Sequence, residues 1–111
     1  MRSSTGNPRY APDMSPEAVI SILRAHEAAL RGKGVARAAL FGSTARGEAA
    51  GGSDLDIMVD IDPAARVDLY DYVGITQYIA GLFAAPVDVV DRAMLIEPVR
   101  RTAEADAVYA F

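Results

Sequence analysis

Leu-Phe-Gly-Ser-Thr-Ala-Arg-Gly-Glu-Ala-Ala-Gly-Gly-Ser-Asp-Leu-Asp-Ile-Met-Val-Asp-Ile, residues 40–61, leads from an apolar segment through a glycine-serine turn and a small-residue loop. It ends in a second apolar segment that opens on two alternating aspartates. Backbone amides around Gly42 and Ser43 can cradle phosphate oxygens. Asp54 and Asp56, two apart on a strand, point to one face and can share a divalent cation. Taken alone, Gly42-Ser43 suits an ordinary turn, and the aspartate pair suits the wet face of a half-exposed strand. Together, at the start of a strand and beside a glycine loop, they suit phosphoryl chemistry. Two carboxylates on one face raise each other's pKa unless a cation lies between them, so the pair calls for wide solvation or a metal. Asp88 interrupts the apolar run Val87-Asp88-Val89-Val90-Asp91 and offers a third carboxylate for an octahedral site, whereas Asp91 also fits a turn.

Outward from this stretch, Val35 to Phe41 reads as a first strand, with Ser43 placed to cap a very short helix through Arg46. Gly47 to Ser53 reads as a flexible loop, and Leu55 to Ile61 as a second strand ended by Pro63. Upstream, Ser15-Pro16 starts a helix over about residues 15–32, with Val19, Ile22, Leu23, His26 and Leu30 at helical spacing until Gly32 and Gly34. Downstream, a second helix runs from about Ala65 to Phe83, and its buried stripe is Leu69, Tyr72, Val73, Thr76, Ile79 and Phe83. Val87 to Val90 is a short third strand. Pro98 opens a last helix through roughly Ala105, and Val108 to Phe111 packs as a tail. Residues 1–14, rich in polar residues and proline, read as a flexible leader, and residues 15–111 as one domain. The expected fold is α/β, a small mixed sheet of three or four strands with helices mainly on one face and the site at its open edge.

Composition narrows the chemistry. The chain has 111 residues, 51% apolar and 23% charged, which suits one soluble domain and leaves no room for a separate substrate module. It has no cysteine and a single histidine, His26, so only oxygen ligands remain and the fitting cations are Mg²⁺, Mn²⁺ or Ca²⁺. A net charge of −4, with ten arginines scattered among eleven basic residues, argues against direct nucleic-acid binding and against a membrane-surface segment. No apolar run approaches a membrane span and no secretory signal is readable, so a cytoplasmic address is expected. Arg46 suits charge neutralisation on a leaving pyrophosphate or a helix-end role. Ser53 suits a loop cap ahead of a phosphate contact, and His26 suits packing. Tyr70 and Tyr78 lie off the second helix's stripe and suit a partner surface.

Gly42-Ser43, ten intervening residues, Asp54-Leu55-Asp56 and a later Asp88 on a separate strand together resemble the DNA polymerase beta type nucleotidyltransferase superfamily. The short length, the Phe-Gly-Ser-Thr-Ala-Arg-Gly wording and the Val-Asp-Val-Val-Asp strand resemble its minimal nucleotidyltransferase (MNT) family, whose members often pair with HEPN proteins as antitoxins. The resemblance implies that Gly42 and Ser43 contact nucleotide phosphates. It also implies that Asp54, Asp56 and Asp88 hold two magnesium ions, Asp88 in addition assisting the attacking hydroxyl. ATP is the implied nucleotide, and a tyrosine of a HEPN toxin the implied acceptor. Occlusion of a partner without catalysis, or transfer to a small molecule such as an aminoglycoside, are the competing expectations. The exposed edge of a small sheet favours a homodimer or a hetero-complex.

Overall fold

Largely apolar runs bounded by glycine and proline set the two central strands. In the computed structural model, which describes residues 15–47 and 54–111, β1 is Val35–Phe41 and β2 is Leu55–Ile61. They pair antiparallel, with Phe41 opposite Asp56 and Ala39 opposite Met58. β3 (Val87–Asp91) lies parallel to β2 on the other side, and β4 (Val108–Tyr109) pairs antiparallel with β1, giving the order β3-β2-β1-β4. The first two residues of the expected tail are therefore the fourth strand. The expected leader, 1–14, and most of the expected loop, 48–53, lie outside the described residues.

The expected single first helix is two, α1 (Pro16–Ala25) and α2 (Glu27–Gly32). Ser15 caps α1 by accepting from the Ala18 amide. The break falls at His26, whose backbone amide bonds to Leu23 rather than one residue further back. The carbonyl left open, that of Ile22, accepts instead from His26 Nδ1 at 2.9 Å. The imidazole thus replaces a helical bond, and it meets the Tyr78 ring edge-on with centroids 6.0 Å apart. His26 is packed, and Tyr78 is half-buried beside it.

The second long helix also starts later than its periodicity suggests. Asp62 caps a 3-10 turn over Pro63–Ala65, and Arg66, at φ 53, ends it in the left-handed region. Asp68 and Asp71 then form a reciprocal capping box that starts α4 at Leu69, and α4 ends at Ala80. This start fixes the helix's phase: Ile75 and Ile79 are buried, while Leu69 and Val73, expected inside, are exposed. Removing the cap with Asp68→Ala is expected to cost about 1 kcal/mol, lowering the melting temperature by several degrees in a thermal scan.

α1, α2 and α4 cover one face of the sheet, against the side chains of Leu40, Ile57 and Val59. The opposite face presents Ala39 and Met58, which pack on Ala103 of α5 (Val99–Asp106). Arg92 ties this second layer together, its Nε on Asp60 at 2.6 Å and its Nη1 on Glu104 at 3.0 Å. None of the helices among the described residues is long and apolar enough to cross a membrane.

Candidate active site

Strand register carries three of the predicted residues to one place. Phe41 sits opposite Asp56, so Gly42, which opens the short helix α3 (Gly42–Ala45), lands beside the Asp56 side chain. Asp56 in turn is in register with Asp88 across the parallel pair. Residues paired in this way project to the same face of a sheet, and Asp54 falls on that face by alternation, just ahead of β2. Gly42 has φ +78, and a Cβ built there would overlap Asp56 Oδ2. Only glycine allows the turn and the carboxylate to approach this closely.

Asp56 feels both neighbouring acids. Burial first, then the charges of Asp88 and Asp54, hold the Asp56 carboxyl above its ordinary value of 3.8. Asp88 and Asp54 are exposed and Asp56 is partly buried. Among the described residues, no three acidic, histidine or cysteine side chains close into a ready cage. An open set of oxygen donors fits Mg²⁺, which keeps waters and takes one or two carboxylates together with substrate phosphates. The mutual repulsion at Asp56 fits it as well, because a cation relieves the strain that burial and like charge impose.

A folded-state value above the unfolded one means that ionised Asp56 costs stability. Its contribution is most favourable below the unfolded value and is lost as pH rises through the raised one. In the presence of a chelator, Asp56→Asn is therefore expected to melt at or above wild type at neutral pH. The difference should shrink on acidification toward pH ~4, as read by calorimetry.

Other expected residues take different places. Ser43 lies inside α3 rather than capping it; the cap position is Phe41, and no side chain among the described residues bonds the first amides. Arg46 follows α3, and its Nη1 meets Asp106 of α5 at 2.6 Å, so it ties the turn to the last helix. Ser53 is outside the described residues. Two features have no counterpart among the expected residues. Thr44, next to the glycine-serine pair, is buried, with its hydroxyl unpartnered among the described residues. A cleft of about 390 Å³ opens beside Gly42, walled by Phe41, Val99, Thr102 and Ala103. The signal for Thr44 is its place between two small residues in a turn. Nothing local marks α5 as a wall, since that depends on the sheet's second face.

A strand-turn-helix that brings backbone amides against paired acids, with a third acid on the neighbouring strand, is the frame of a nucleotidyl-transferring enzyme. The family model described as a nucleotidyltransferase domain matches residues 23–110, and the chain belongs to that family, its minimal nucleotidyltransferase members included. One relative is the protein adenylyltransferase MntA of Thermococcus cleftensis, 35% identical over 94 residues, which span 84% of this chain and 93% of that protein. A solved structure assigned to the minimal nucleotidyltransferases superposes with a TM-score of 0.71 at 29% identity, over 86% of this chain and 95% of that one. A toxin-antitoxin crystal structure with AMP-PNP shares the fold, with a TM-score of 0.61 at 21% identity over 86% of this chain and 72% of that one.

Proposed function

We propose that this nucleotidyltransferase moves AMP from ATP to a tyrosine hydroxyl of a HEPN-type toxin, acting as its antitoxin. The observation that carries this reading is the register Phe41–Asp56–Asp88, which sets the Gly42 turn against a carboxylate whose ionised form a cation would stabilise. The relative named as a protein adenylyltransferase and the fold shared with a toxin-antitoxin complex support the nucleotide and the class of acceptor.

The Gly42 and Ser43 amides hold the outer phosphates, with the Ser43 hydroxyl beside them. Its volume puts the cleft beside Gly42 among small-molecule sites, and it receives the nucleoside against Phe41, Val99 and Ala103. Magnesium, held by Asp54, Asp56 and Asp88, would supply charge neutralisation for the triphosphate and the departing pyrophosphate. The acceptor oxygen attacks the α-phosphorus, its new O–P bond replaces the bond to pyrophosphate, and Asp88 takes the hydroxyl proton.

The test incubates the chain and a HEPN-type toxin with α-labelled ATP and Mg²⁺. Label on a tyrosine of the partner, lost with a chelator and in Asp54→Ala, is the expected result. Neutralisation of the partner with no label in wild type would replace transfer by occlusion.

A further inference from the structure

We propose that the groove along the outer edge of β3 is the docking site for the acceptor protein, which adds an extended segment bearing apolar and basic side chains to that edge. This inference rests on the reading that the acceptor is a protein.

Among the described residues β3 pairs on one side only, with β2, and its other edge is open to strand addition. A groove of about 490 Å³ follows that edge, touching Val89, Val90 and Asp91 in succession and thus both faces of the strand. Its rim carries Leu69 and Met94, each 78% exposed. Large apolar side chains displayed together beside an open edge mark an interaction surface rather than a scattered remainder.

Charge selects the occupant. Among the described residues the groove is lined by two acids, Asp68 and Asp91, and by no basic side chain. Each accepts a single amide bond in the structure, from Asp71 and Ala93 respectively, which leaves carboxylate lone pairs for a guanidinium or ammonium. A two-fold pairing of two copies of this chain would instead set the same acid-rimmed patch against itself.

Geometry connects docking to chemistry. Side chains of an added strand alternate between faces, and the residue opposite Asp88 stands on the carboxylate face with its Cβ ~5 Å away. Its neighbours along the strand fall toward the groove. One segment can thus seat apolar side chains between Leu69 and Met94 while presenting a hydroxyl beside Asp88.

The test compares wild type with the double variant Leu69→Asp/Met94→Asp and the milder Leu69→Ser/Met94→Ser. The same HEPN-type toxin is the probe, and dichroism confirms that each variant is folded. Calorimetry reads pairing, a fluorescent ATP analogue with Mg²⁺ reads nucleotide binding, and α-labelled ATP reads transfer. The expected result is pairing weakened about tenfold or more, with a matching rise in KM for the acceptor and unchanged nucleotide binding. Pairing and transfer at wild-type strength in the aspartate variant would overturn the docking site and leave the transferase reading intact. A wild-type homodimer that the variant splits would likewise overturn the docking site, and the absence of both pairing and transfer in wild type would overturn the docking site and the transfer reading together. Pairing that wild type makes and the variant loses, with no transfer by either, would keep the docking site and sink the transfer reading.

Discussion

Asp56→Asn is expected to lower nucleotidyl transfer by on the order of a thousandfold without harming the fold. Asp56 is the hinge of the site: it lies against Gly42 on one side, is in register with Asp88 on the other, and feels Asp54, two residues back in the chain. Replacing its carboxylate by an amide keeps the shape but removes the charge that a cation-bound triphosphate needs. The same change relieves repulsion in the metal-free protein, so activity and stability should move in opposite directions, as they do where a site is held under electrostatic strain. Single-turnover transfer with labelled ATP measures the first effect and melting in chelator the second. A variant that kept a tenth or more of wild-type transfer would remove Asp56 from the centre of the mechanism.

Gly42→Ala is expected to damage both stability and activity. An L-residue at φ +78 costs ~1–2 kcal/mol in the backbone alone, and its methyl would displace the Asp56 carboxylate. Displacing a catalytic group by about 1 Å costs on the order of a hundredfold in rate. Gly47 provides the control, because it has nearly the same backbone angle, φ +74, and a methyl placed on it would meet nothing within 4 Å among the described residues. Gly47→Ala should share the loss of stability and keep most of the transfer. Equal loss of activity in the two variants would show that backbone strain, not contact with Asp56, is what the glycine relieves.

How far the sequence revealed this arrangement depends on which signals were local. β1 and β2 were readable to the residue because short apolar runs and their punctuation by Gly42 and Pro63 act within a few positions. The aspartate pair and Asp88 stood out because acids in apolar strands are conspicuous, and the register then brings Asp56 and Asp88 side by side. The phase of α4 was not readable from apolar spacing, since the Asp68–Asp71 capping box decides where the helix begins and so turns Ile75, not Val73, inward. His26 broke the first helix through its own side chain, a competition between imidazole and backbone that periodicity does not register. β4 is only two residues long and exists because β1 has a free side to pair. The tie of Arg46 to Asp106 was not legible either, because it spans 60 positions in the chain.

The parallel pairing of β2 with β3 carries a consequence for how the molecule assembles. β1 and β2 are joined by a short connection, and their antiparallel ladder closes early at small entropic cost. Asp88 reaches Asp56 only after the chain has travelled through α4 and returned, and each doubling of such a closure adds about 0.6 kcal/mol. The acid cluster is thus assembled from two closures of unequal length: the β1–β2 pair already sets the phosphate turn against Asp56, and only the longer β2–β3 closure adds the third carboxylate.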